Sequence, residues 1–156
     1  MKIDLARIGV DDAENLWKMQ VEAFSDLYKK YQDTETSPAT EKLEKMIIRL
    51  EQPCTYYYYI VAEGIKVGAI RVVDVKEAGK PKRISPIFIM KQFRGKGYAQ
   101  EAIRAVEMIH GGCDWELDTI LQEKGNCYLY EKMGYYQTGK TEAINEKLTL
   151  VQYKKE

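Results

Sequence analysis

One stretch in the middle of the chain narrows the fold more than any other. An apolar run, Ile84-Ser85-Pro86-Ile87-Phe88-Ile89-Met90, passes through Lys91 into Gln92-Phe93-Arg94-Gly95-Lys96-Gly97-Tyr98-Ala99. The run has the length and the β-branched and aromatic content of a strand. Beyond it Ala99, Ala102, Ile103, Val106 and Ile109 recur at three- and four-residue steps, the stripe of an amphipathic helix that Gly111-Gly112 should stop. The first turn of a helix leaves N–H groups without intrahelical partners, and its dipole favours anions. Gly95 and Gly97 let the backbone curl closely around a bulky phosphate, and Arg94 and Lys96 add positive charge beside it. The stretch reads as a pyrophosphate cradle built mainly of backbone amides, the plain alternative being a glycine turn that merely starts a helix. It has neither the spacing of a P-loop nor the three glycines of a dinucleotide fold.

The rest of the chain alternates in period around this centre. Ile3, Leu5 and Ile8 suggest a short first strand within residues 2–8. Asp11 or Asp12 is positioned to cap a helix carrying Ala13, Leu16, Trp17, Phe24, Leu27, Tyr28 and Tyr31 on one face. Ser37-Pro38 reads as the start of a second helix, with Leu43, Met46, Ile47 and Leu50 as its stripe and Pro53 as its end. From Cys54 the period becomes that of strands: CTYYYYIVAE, a tight turn at Glu63-Gly64, then KVGAIRVVDV. After the central helix come a strand WELDTIL, a short helix NCYLYEKM ending at Gly134, and a closing strand pair, YYQTGK and KLTLVQYKK. This order predicts one α/β (α+β) domain over residues 1–156. Its sheet should be mixed but mostly antiparallel, with about six to seven strands and four flanking helices.

Composition serves mainly to exclude. The 24 basic and 24 acidic residues cancel, which argues against a dedicated nucleic-acid binder. No apolar run approaches the roughly 18 residues that span a bilayer, so no membrane partner is expected. The opening residues lack the apolar core of a secretory leader. Three cysteines in unrelated contexts do not make a disulfide framework, so a cytoplasmic location is expected.

The spacing Gln92-x-x-Gly95-x-Gly97 resembles motif A of the GNAT superfamily, the general control-type N-acetyltransferases. A second signature follows in the right order: Leu129-Tyr130-Glu131-Lys132-Met133-Gly134-Tyr135 is similar to that family's Leu-Tyr-x-Lys-x-Gly-aromatic motif. The resemblance covers nearly the whole chain, with its specificity in residues 84–99 and 115–135. It implies the GNAT-like acyl-CoA N-acyltransferase fold, acetyl-CoA as cosubstrate and an amine as acceptor. Arg94, Gly95, Lys96, Gly97, Tyr98 and Ala99 would then wrap the pyrophosphate. The main chains of Phe88, Ile89 and Met90 would pair with pantetheine like an added strand. Fixed amide dipoles would stabilise the oxyanion formed when a neutral amine attacks the thioester. Tyr130 matches the general acid that protonates the departing thiolate.

The sequence departs from the family pattern seven residues before Tyr130, where Glu123 stands in place of an asparagine that assists pantetheine. Asn126, four residues before Tyr130, shares its helical face and is the candidate replacement; Glu123 reads as a solvated loop charge. No general base stands out among Asp74, Asp118 and Glu123, and a water chain serves equally well. Of Tyr56 to Tyr59, two are expected to pack against helices and two are available to line the acceptor cleft. Tyr28, Tyr31, Asp33 and Glu35 would suit a cationic amine, or form a solvated acidic loop. His110 and Cys113 have no second ligand pair, so no metal site is expected. Cys127 has no histidine partner that would make it a nucleophile.

The resulting expectation is an acetyl-CoA-dependent N-acetyltransferase acting on a primary amine of a small molecule. The alternative is a catalytically silent acyl-CoA-binding module of the same fold. A homodimer is compatible with the sequence, which does not settle oligomeric state.

Overall fold

A computed structural model describes residues 2–156. Strand β1 (Asp4–Arg7) leads through a 3-10 turn, Val10–Asp12, into α1 (Ala13–Tyr31). A second 3-10 turn, Pro38–Thr40, precedes α2 (Leu43–Glu51). Strands β2 (Thr55–Ala62), β3 (Ile65–Val73) and β4 (Lys82–Ile89) follow, then α3 (Tyr98–His110) and β5 (Trp115–Ile120). Helix α4 (Lys124–Lys132) and strands β6 (Tyr136–Ala143) and β7 (Thr149–Lys155) complete the chain.

The seven strands lie in the order β1-β2-β3-β4-β5-β7-β6. Every neighbouring pair is antiparallel except β4 and β5. The expected mixed sheet with four helices is what forms. Helices cover both faces, which is why the central strands read as continuous apolar runs instead of alternating ones. One core packs Leu16, Met46, Tyr57, Tyr59 and Phe88; the other packs Tyr58, Ile70, Ala102, Ile103, Val106 and Tyr130. No described helix is long and apolar enough to cross a membrane.

Two helix starts differ from expectation. Neither Asp11 nor Asp12 caps α1 with its side chain; both lie in the preceding 3-10 turn, where the Asp12 N–H donates to the Gly9 carbonyl at 3.1 Å. Ser37 does accept the Ala39 N–H at 3.1 Å, but on the short turn and not on α2. The helix cannot run on from there because α1 claims its carbonyls. Buried Gln20 donates to the Pro38 oxygen at 3.1 Å, and Trp17 donates to that of Glu41 at 2.7 Å. Tyr57 in turn donates to the Gln20 side-chain oxygen at 3.0 Å.

The feature that positions the site is a parting of two strands. The β4–β5 pairing consists of Lys82 opposite Trp115 and Arg83 opposite Glu116, and then stops. The cause is Ser85-Pro86. Proline brings no N–H to a ladder, and the β3–β4 register shifts between Ile70 and Val72, leaving two β4 residues opposite Arg71. Buried Arg71 pins the bulge by donating to the Ser85 carbonyl at 2.9 Å and to Thr55 Oγ1 at 3.2 Å. Beyond it, β4 has a free edge facing the gap.

Candidate active site

At the end of β4 the chain makes a 3-10 turn, Lys91–Phe93, and enters the glycine loop. Gly95 (φ 79°) and Gly97 (φ 84°) are both left-handed, a conformation only glycine adopts freely. Nothing lies within 4 Å of a Cβ built at Gly95, so glycine is required there for its backbone angle and not for space. The amides of residues 95–97 make no backbone hydrogen bond among the described residues. The first helical bond of α3 is Glu101 N–H to Gly97 C=O at 3.1 Å, so the amides of Tyr98, Ala99 and Gln100 also lack intrahelical acceptors. A ring of free N–H donors at a helix N-terminus fits a pyrophosphate.

Arg94 is placed differently from the expectation that it supplies charge to that anion. Its Nε donates to the Ile89 carbonyl at 2.8 Å and its Nη2 to the Ala23 carbonyl at 2.7 Å, so the guanidinium braces the loop against β4 and α1. Lys96 stays at the surface, its Nζ 5.9 Å from the Phe93 ring centre.

The cradle opens into a cleft of about 530 Å³ that runs along the free edge of β4 towards α4. The expectation for Phe88, Ile89 and Met90 needs a correction here. The Met90 N–H is bonded to Val67 at 2.8 Å and its carbonyl accepts from Phe93 at 2.9 Å, so both its main-chain groups are taken. Main-chain direction alternates along a strand, so Phe88 also faces β3 and the gap is met by Ile89 and Ile87. The Phe88 carbonyl does lie against β3, since a Cβ on Gly68 would come within 2.1 Å of it. Its side chain is buried, edge-on to Phe24 with ring centres 5.8 Å apart.

A second cleft, of about 410 Å³, lies on the other side of the parting. Its walls include the 33–38 loop, Ser85-Pro86 of β4, Asp118 and Thr119 of β5, and Glu142 of β6. Tyr130 and Asn126 line both clefts, on one face of α4 as their spacing requires. Tyr130 is packed against Tyr135 and Tyr153, with ring centres 6.1 and 6.0 Å away. Its hydroxyl has no hydrogen-bond partner among the described residues, yet no buried side-chain polar atom among them is unsatisfied. The hydroxyl therefore opens to the cleft. Burial, with a smaller contribution from the neighbouring Cys127, raises its pKa, so the phenol keeps its proton.

Glu123 is not a free solvated charge. It accepts from Lys30 Nζ at 2.7 Å and from the Tyr31 hydroxyl, tying the end of α1 to the start of α4. Partial burial raises its pKa, but the hydrogen bonds from Lys30 and Tyr31 outweigh this and hold it below the usual carboxylate range. Asp74 sits elsewhere, bound to His110 at 3.1 Å. Asp118 does line the second cleft, where Arg83 donates to it at 3.0 Å. Asp33 is buried and spends its carboxylate on Glu35 and Thr36 of its own turn. None of Tyr56 to Tyr59 reaches the second cleft: Tyr57 and Tyr59 enter one core, while Tyr58 and part of Tyr56 enter the other. The Cys127 thiol points at the Ile120 and Leu121 carbonyls, each 3.8 Å away. No cluster of three or more His, Cys, Asp or Glu side chains able to hold a metal occurs among the described residues.

Reading the sequence alone misses Ile87 and Glu142. Ile87 was recoverable from the two-residue alternation along β4. Glu142 carries no local signal, because only the β6–β7 pairing brings it to the cleft.

The fold has close relatives in shape and distant ones in sequence. The microcin C7 self-immunity acetyltransferase MccE, solved with acetyl-CoA and AMP, superposes with a TM-score of 0.73 at 18% identity, over 97% of this chain and 91% of that one. The spermidine N-acetyltransferase of Vibrio cholerae, solved with CoA and spermine, gives 0.75 at 15% identity, over 97% and 93%. The ribosomal L7/L12 α-N-protein acetyltransferase RimL, solved with CoA, gives 0.71 at 12% identity, over 98% and 93%. No curated protein sequence matches the chain. The family model described as the acetyltransferase (GNAT) family matches residues 15–135. The chain belongs to the acetyltransferase (GNAT) family.

Proposed function

We propose that this enzyme moves acetyl from acetyl-CoA to a primary amine of a small cationic molecule by direct attack, with Tyr130 as the general acid. The observation that carries the reading is the meeting of two clefts at one buried, protonated phenol with no hydrogen-bond partner among the described residues. The free amides of residues 95–100 hold the pyrophosphate. Ile87 offers its main-chain groups and Ile89 its N–H, the Ile89 carbonyl being held by Arg94, to the pantetheine arm along the edge left by β5, and Asn126 reaches it from α4. Tyr130 hands its proton to the leaving sulfur, a step worth about 10²–10⁴ in rate for a well-placed acid.

The charge of the second cleft supports a cationic acceptor. Asp118 and Glu142 line it with Arg83 as the one cation, and Arg83 is already engaged by Glu116 at 2.8 Å and by Asp118. A neighbour in fold is a spermidine N-acetyltransferase, a precedent for cationic acceptors. No general base is assigned, because Asp74 and Glu123 lie outside the second cleft and Asp118 is held by Arg83. The chain acts as one catalytic domain, and three free cysteines fit a cytoplasmic setting.

Thiol release with acetyl-CoA should be measured across small amines, polyamines, aminoglycosides and peptides. Turnover is expected with small cationic amines. Release with peptides alone would overturn the acceptor class. Acetyl-CoA binding without release on any acceptor would favour the silent binding module.

A further inference from the structure

A cleft of about 660 Å³ lies at the opposite end of α3 from the cradle, and Tyr130 does not line it. We infer that it is a second ligand site, for a small multivalent oxyanion of the phosphate type. Its floor is His110, the last residue of α3, whose side chain is only 5% exposed. His110 Nδ1 lies 3.1 Å from Asp74 and Nε2 lies 3.0 Å from the Tyr58 hydroxyl. A carboxylate only accepts, so Nδ1–H donates to Asp74; burial lowers the His110 pKa and favours the neutral ring, in which Nε2 accepts from the Tyr58 hydroxyl. Beside it the Tyr56 ring stands edge-on, 4.9 Å away centre to centre.

Three cations ring this floor and none has a carboxylate within salt-bridge distance among the described residues. The Arg7 guanidinium is 4.6 Å from the Tyr56 ring centre and Lys76 Nζ is 5.2 Å from it. Two like charges that close to one ring fall within a single screening length of each other, about 8–10 Å at ordinary ionic strength. Lys76 is aimed there by its turn, in which its own N–H donates to Asp74 Oδ1 at 3.0 Å. Lys82 closes the third side, its Nζ 2.9 Å from the Cys113 carbonyl.

The acids of the cleft offset these cations only in part. Asp74 keeps its charge and attracts Lys76, Glu77 is paired with Lys80 at 3.1 Å, and Asp114 is the remaining acid, so Arg7, Lys76 and Lys82 outnumber Asp74 and Asp114. Bridging three separated cations requires a ligand with more than one charge, which selects a phosphate ester or pyrophosphate over a monocarboxylate.

His110 is the only histidine of the chain, so its ring gives one set of imidazole resonances. Inorganic pyrophosphate titrated into protein saturated with acetyl-CoA, which blocks the cradle, should shift those resonances saturably. The Arg7→Gln/Lys76→Gln double variant should weaken the midpoint at least about tenfold and leave acetyl-CoA affinity unchanged, which also reports that it folds. Lys82→Gln is the independent arm and should weaken it less. Acetate at equal ionic strength should not saturate. The absence of a saturable shift, or one with the same midpoint in both variants, would overturn the inference. So would a midpoint that rises with acetyl-CoA concentration, since that would place the anion in the cradle.

Discussion

The two clefts that meet at Tyr130 are made of different material. The cosubstrate cleft has side-chain walls from α1 and α4, but its polar groups for the anion are backbone: the free edge of β4, two left-handed glycines and the first amides of α3 are contiguous in sequence. The acceptor cleft is chiefly side chains, brought from a loop after α1, from β4, β5 and α4, and from β6 and its turn. A site built of main chain depends on local dihedral angles, so its requirements fall on glycine and proline. A site built of side chains depends on how distant segments pack, and can change its ligand without touching the scaffold.

The largest effect should come from attacking the backbone side. Gly97→Val puts a β-branched residue at φ 84°, where only glycine is comfortable, and turns the loop amides away from the anion. Two charge-assisted N–H bonds at about 1.5–3 kcal/mol each predict at least a hundredfold weaker acetyl-CoA binding by calorimetry, with a cooperative melt retained and its midpoint lowered by several degrees through the backbone strain. Retained affinity would remove the distinction between the two clefts.

A smaller and opposite pattern is expected on the side-chain side. Asp118→Asn combined with Glu142→Gln should raise KM for a cationic acceptor about tenfold and leave KM for acetyl-CoA alone, since each exposed charge contributes no more than about 1 kcal/mol. Equal changes in both constants would show that the clefts are not separable.

The smallest effect concerns the tie between α1 and α4. Glu123 has a pKa below its ordinary value of 4.5, so its contribution to stability is complete above that value and is lost as pH falls through the folded pKa. Thermal melts of Glu123→Gln should lie slightly below wild type at neutral pH and converge with it in acid. A gap that widened in acid would contradict the assigned sign.

The same contrast explains what the sequence revealed. The strand, cradle and helix of residues 84–110 were legible because an apolar run, Gly95 and Gly97 and a helical stripe are local signals with fixed positions. The parting of β4 from β5 at Ser85-Pro86 emerges only with the strand pairing. The role of Arg94 was misread because its spacing gives it charge near the loop but not a direction, and the carbonyls of Ile89 and Ala23 claim its donors. Met90 was misread for want of the alternation that assigns its N–H to Val67. The acceptor side was largely illegible. Glu142 is exposed on β6, and its place at the cleft depends on pairing with Leu150 of β7. Gln20 has no apolar signal to mark it as buried, yet it is fully buried and holds the 38–41 turn against Tyr57.

The central claim is that a buried phenol at the junction of the two clefts protonates the departing thiolate. Steady-state thiol release by Tyr130→Phe, followed across pH, tests it most directly. Wild-type kcat should not fall on the alkaline side up to about pH 10, because burial keeps the phenol protonated past the ordinary tyrosine value of 10.0. The variant should lose at least about a hundredfold in kcat with both KM values unchanged. An unchanged kcat at every pH would contradict the account.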